Sequence, residues 1–91
     1  MERTIVTVLG KDKVGIIAAI CNYLAENNIN VLDISQTIVS DDIFNMMMIV
    51  DIAGSDKKIS ILTEELAALG NTLGMQIKMQ SEEIFNAMHR I

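Results

Sequence analysis

Thr4-Ile5-Val6-Thr7-Val8-Leu9-Gly10-Lys11-Asp12-Lys13-Val14-Gly15-Ile16-Ile17 contains the change of period on which the fold turns. Thr4 to Val8 are all β-branched, which is strand chemistry. Beyond Gly15, the residues Ile16, Ile17, Ile20, Cys21 and Leu24 recur at helical spacing. Leu9 to Ile16 is therefore a strand-to-helix corner with a glycine towards each end. Gly10 is expected to leave the strand at a positive φ, and Gly15 to keep Cβ away from the strand or from a ligand. Such a corner aims free N–H groups and the positive end of a helix at one small volume, where a carboxylate would be stable. A scaffolding role is equally open: Asp12 as a helix cap and Gly15 as a packing residue. The corner is a poor phosphate loop, because Ile16 and Ile17 stand where Lys and Ser/Thr are needed. A GxGxxG fingerprint is missing as well.

To the right, the first helix is expected over about Lys13 to Glu26, stopped by Asn27-Asn28. A second strand follows, about Val31 to Val39, with Leu32, Ile34 and Ile38 on one face and Asp33, Ser35 and Thr37 on the other. Gln36 falls on the apolar side, as an edge-strand position or a functional exception. Ser40-Asp41-Asp42 is turn chemistry and makes a hairpin with a third strand, Ile43 to Ile52. Phe44, Met46, Met48, Val50 and Ile52 line one face of that strand. Ile43, Asn45, Met47, Ile49 and Asp51 line the other, so the strand reads as covered on both sides. Core filling is the preferred reading of Met46-Met47-Met48 over a metal box.

Ser55 or Asp56 is expected to cap a second helix carrying Ile59, Leu62, Leu66, Leu69 and Leu73 at 3-4 spacing. Glu64 and Glu65 read as its solvated face, and Gly70 and Gly74 as alternative ends. Met75, Ile77 and Met79 alternate with polar residues as a fourth strand. Ser81-Glu82-Glu83 opens a short helix bearing Ile84, Phe85, Met88 and Ile91, too short to persist unless docked. Strand-helix-strand-strand-helix-strand is the doubled β-α-β pattern of an α+β, ferredoxin-like βαββαβ fold. The expected strand order is 4-1-3-2, antiparallel, with two helices on one face. The other face is left for a partner or the terminal helix.

Ninety-one residues at 51% hydrophobic suffice for one small domain that a partner subunit would help considerably. Aromatics at 3% and a net charge of −5 argue against nucleic acid or an anionic membrane as a direct partner. The single cysteine, Cys21, excludes an internal disulfide and reads as a small hydrophobe. Met1-Glu2-Arg3 enters a strand with no signal-peptide core, and no apolar run approaches the ~20 residues of a membrane span, so a soluble cytoplasmic protein is expected. Nucleophile–base pairs, metal-ligand clusters and a cofactor loop are all missing, and His89 reads as a solvated helix residue. No catalytic role, metal or cofactor is expected.

Residues 7–17, Thr-Val-Leu-Gly-Lys-Asp-Lys-Val-Gly-Ile-Ile, and 24–36, Leu-Ala-Glu-Asn-Asn-Ile-Asn-Val-Leu-Asp-Ile-Ser-Gln, resemble an ACT domain. The likeness is nearest to single-ACT proteins similar to the glycine-cleavage transcriptional repressor. It spans nearly the whole chain as one domain, 1–91, with 81–91 as a helical extension. The resemblance implies a regulatory module that associates through its sheet as a homodimer. It also implies an amino acid or similar metabolite bound at the subunit interface. Carried over onto this chain, the contacts are Asp12, Val14 and Gly15 of the D-x-x-G-I corner, with Asn30 of the N-I-N motif from the neighbouring subunit; the N–H groups around Lys13 to Gly15 are expected to hold the ligand's carboxylate. Val14 departs from the family's usual proline, which loosens the loop. The second expectation, in a different class, is a ligand-free protein–protein interaction module.

Overall fold

The computed structural model describes residues 2–39 and 42–88. Its elements run β1 (Arg3–Lys11), α1 (Ile16–Glu26), β2 (Asn30–Val39), β3 (Ile43–Asp51), α2 (Ile59–Leu73), β4 (Met75–Ser81) and α3 (Glu82–Met88). All strand pairs are antiparallel in the order β2-β3-β1-β4, the ferredoxin-like βαββαβ order. The β-branched β1 lies inside the sheet, as a strand flanked on both edges should.

Register decides the faces. Val6 stands opposite Met48 and Met79, and Val8 opposite Met46 and Ile77, all buried beneath the helices. Ile16, Ile20 and Leu24 of α1 and Leu62 and Leu66 of α2 close this core, with Phe44 and Val50 from β3. Met46 and Met48 are buried while Met47 faces the other way, so the methionine run is core filling on alternate residues. Cys21 is a half-buried free thiol packed against the same core.

Several local expectations are corrected. Gly10 is not at a positive φ; it lies within β1, where a Cβ would sit 2.6 Å from Met75 Sδ and 2.8 Å from the Gly74 carbonyl oxygen. Close strand approach is what requires glycine there. The first helix begins at Ile16 rather than Lys13, because Gly15 is the left-handed residue, φ 93°, that turns the chain. Asn28 (φ 57°) supplies the left-handed stop after α1. Neither Ser55 nor Asp56 caps α2, whose preceding residue is Lys58; Ser55 Oγ instead accepts from Lys57 N–H at 3.2 Å. Gly74, φ 73°, ends that helix. Gly70 lies inside it, and a Cβ there would meet the Met75 carbonyl oxygen at 2.6 Å, so α2 lies directly on β4.

Glu64 is exposed and Glu65 half-exposed, as a solvated face should be, yet Glu65 Oε1 also accepts from Tyr23 Oη at 2.7 Å and from Lys57 Nζ at 2.8 Å. This bond ties α1 to α2. Ser81 Oγ accepts from Ile84 N–H at 3.2 Å and so caps α3. That helix packs back against β1 and β4. Ser40, Asp41, His89 and Ile91 lie outside the described residues.

Candidate functional site

The corner is built by the end of β1 and the start of α1. Asp12 N–H donates to the Asp42 carbonyl at 2.7 Å, which pins the loop to the β2–β3 turn. Gly15 then reverses at φ 93°, and its carbonyl accepts the first helical bond, from Ala19 N–H at 3.0 Å. No side chain caps the helix, so Asp12 is not its N-cap, and the first turn carries no acid. Among the described residues, the N–H groups of Ile16, Ile17 and Ala18 find no acceptor. Helix α1 thus keeps its orphan donors and its positive end unneutralised.

These donors border a surface depression of about 410 Å³, lined by residues 12–18 and by Gln36. Four of the five candidate residues, Asp12, Lys13, Val14 and Gly15, are brought together around it. Val14 is fully exposed at 103%, an apolar tip standing in solvent. A Cβ on Gly15 would meet nothing within 4 Å, so the space above the turn is open. Gln36 was legible in the sequence only as a polar residue in an apolar register. Between Ile34 and Ile38, also exposed, it lies on the helix side of the edge strand β2, where α1 does not reach across it.

Asn30 is not at this depression. It opens β2 opposite Asp51, six residues and roughly 20 Å of extended chain from Gln36. It is exposed, and it lies at the other end of the sheet from the corner. The strand between them carries a bulge between Val31 and Asp33 that lets Leu32 slip from the regular alternation. A second hollow, about 430 Å³, lies beside Gly10 and Asn71, but no ionisable side chain among the described residues lines it.

Charge elsewhere is local. Asp51 Oδ1 accepts from the N–H groups of Glu2 (2.9 Å) and Ala53 (3.0 Å), and these bonds hold its carboxyl below the usual value. Glu65 is lowered by its bonds from Lys57 and then Tyr23. The Tyr23 phenol is raised, first by burial and then by Glu65. Among the described residues, no three His, Cys, Asp or Glu side chains are placed to hold a metal ion. No helix among them is long and apolar enough to cross a membrane.

The ACT domain family model matches residues 2–80, β1 to the end of β4. The chain belongs to the ACT domain family. UPF0237 protein BL1209.1 of Bifidobacterium longum is 55% identical over 91 residues, covering 100% of both chains. The solved structure of an ACT domain protein from Streptococcus pneumoniae superposes with a TM-score of 0.77 at 44% identity, covering 92% of this chain and 93% of that one. A structure assigned as a glycine cleavage system transcriptional repressor gives a TM-score of 0.75 at 17% identity, over 88% of this chain and 45% of that one. That last likeness is one of fold. The ACT family and these relatives point to a regulatory rather than a catalytic domain.

Proposed function

We propose that this ACT domain is a cytoplasmic regulatory module that binds an amino acid, or a metabolite with the same head group, at the 12–15 corner and signals through self-association. The observation that carries the reading is the uncapped start of α1, with three N–H groups that are free among the described residues over an open depression. The ligand carboxylate sits on those N–H groups. Asp12 pairs with the ammonium, and Lys13, Val14 and Gly15 shape the wall. Gln36 adds an amide able to donate and accept across the depression.

Asn30 reaches the ligand from the partner of a homodimer. Its own corner is out of range, because the two lie at opposite ends of the sheet. Two copies whose β2 edges run antiparallel would bring each Asn30 to the other's corner. Binding then stabilises the assembly by linkage, with no chemistry. The 91 residues act as one domain, with 81–91 as its helical extension.

The test is a thermal-shift screen over the common amino acids, followed by calorimetry. A ligand at a hundred times its dissociation constant adds about 2.7 kcal/mol. Asn30→Ala and Gln36→Ala are expected to weaken binding and spare the fold. If no amino acid binds, or Asn30→Ala leaves affinity unchanged, the site is wrong as drawn. The competing reading is an interaction module with no ligand, and the exposed Ile34 and Ile38 on the edge strand favour it. Self-association indifferent to every amino acid would select it.

A further inference from the structure

Helix α3 divides the helix-free face of the sheet into two unlike halves. At the Arg3 end it covers the strands: Arg3 Nε donates to Glu82 Oε2 at 2.9 Å, Gln80 Nε2 donates to Met88 Sδ at 3.3 Å, and Ile5 is buried. At the Lys11 end the face is bare. Leu9 of β1 is 47% exposed there, with Met47 at 40% and Ile43 at 37% on the adjoining β3. A helix is about 10 Å thick, so α3 stands above these residues and leaves them recessed.

The bare half has a charge of its own. From Thr7 to Lys11, the residues that β1 and its sheet neighbours turn to this side are neutral apart from Lys11 and Lys78. Both are exposed, and neither makes an ion pair among the described residues. No carboxylate lies in these rows, although the chain has 12 acidic residues to 7 Lys and Arg. Asp12, Asp33 and Asp42 adjoin the rows in sequence without belonging to them. Lys78 stands opposite Thr7, and Lys11 follows along β1 after about 13 Å of strand. An α-helix covers that distance in about two to three turns. A nine-residue strand is about 30 Å long and α3 about 10 Å, so such a helix fits beyond it.

We propose that the bare half docks an acidic amphipathic helix of a different protein. The apolar stripe of that helix lies on Leu9, Met47 and Ile43, and carboxylates at its two ends meet Lys11 and Lys78. Charge and shape select this occupant. Two bare halves brought together would oppose the same cations, which disfavours a second copy. A flat lipid surface is held off the recessed half by α3, whereas a single helix fits beside it. The 12–15 corner opens beside Gln36 on the helix side of the sheet, so this surface is separate and needs no amino acid bound there.

The probe is a lactam-stapled synthetic helix of about 12 residues, with a leucine stripe between glutamates at its two ends. A second peptide carries lysine in place of each glutamate. Both are titrated into the full chain while its amide signals are followed by nuclear magnetic resonance. The acidic peptide is expected to move the signals of Thr7 to Lys11, Met47 and Lys78, to leave those of α1 in place, and to bind about tenfold or more tightly than the basic one. Lys11→Glu with Lys78→Glu, both at exposed positions, is expected to reverse that preference, with the far-ultraviolet spectrum as the check on folding. Lys11→Gln with Lys78→Gln, expected to abolish the preference, serves if the reversed variant does not fold. Failure of the acidic peptide to bind, equal affinity for the two peptides, or shifts confined to other surfaces would overturn the proposal. So would sedimentation equilibrium in which Leu9→Gln dissociates the full chain, which makes the occupant a second copy. Binding to phosphatidylglycerol vesicles in place of the peptide would overturn it in favour of a lipid surface.

Discussion

Gly10 and Gly15 are glycine for different reasons. At Gly10 the backbone is extended, but a Cβ would collide with the Gly74 carbonyl oxygen, which cannot rotate away as a side chain can. Gly10→Ala is expected to cost about 1–3 kcal/mol in chemical denaturation, the usual range for overpacking. At Gly15 there is open space and a left-handed φ, so substitution there costs roughly 1–2 kcal/mol of backbone strain instead. The sequence could not separate these cases. A glycine before a polar loop looks the same in both, and the neighbour that decides Gly10 lies in β4. Thr4 is a third such residue. It was legible as strand, yet its hydroxyl is buried with no hydrogen-bond partner among the described residues. Thr4→Val keeps the shape and removes the orphan, so it should raise stability by about 1 kcal/mol. A lower urea midpoint would refute this.

Between elements, the periodicities placed every helix and strand, but not the rotation of one helix against another. Glu64 and Glu65 are neighbours on a polar stretch, and only the position of α1 decides which of them meets Tyr23. The bond has a pH signature. Burial and Glu65 raise the Tyr23 phenol above its ordinary 10.0, so the unfolded chain ionises first as pH rises. Its stabilisation is complete below pH 10 and is lost above it. Tyr23→Phe should flatten that alkaline loss in urea midpoints measured against pH. The carboxyls behave oppositely. Asp51 and Glu65 are held below their ordinary 3.8 and 4.5 by donated bonds, so their contributions are present above those values and fade as pH falls through them. Asp51→Asn should shallow the acid limb and leave the alkaline one alone.

For the whole molecule, the strand order and the side taken by α1 and α2 were written in the alternation of β1 and β3. The candidate site was legible only in part. The corner could be read from Asp12 to Gly15, whereas Gln36 showed itself as an anomaly without a destination. Its meaning depends on how far α1 extends over β2, which is a matter of packing. The family match ends at Gln80, just before α3. Deleting residues 81–91 should leave the sheet and its two large helices folded, while uncovering Ile5. The expected loss is about 1–3 kcal/mol, the burial of one aliphatic side chain, because the Arg3–Glu82 pair is exposed and contributes little. An unchanged melting temperature would mean that α3 frays rather than docks.

The separation of Asn30 from the corner has a consequence for dose. No single chain can offer both to a ligand the size of an amino acid. On the function proposed above, half-saturation should therefore depend on how much of the protein is present, falling as copies become plentiful enough to pair. A cell making more of this protein would detect a scarcer ligand with the same residues. Expression level would act as a gain control, set by the distance between the two ends of one strand.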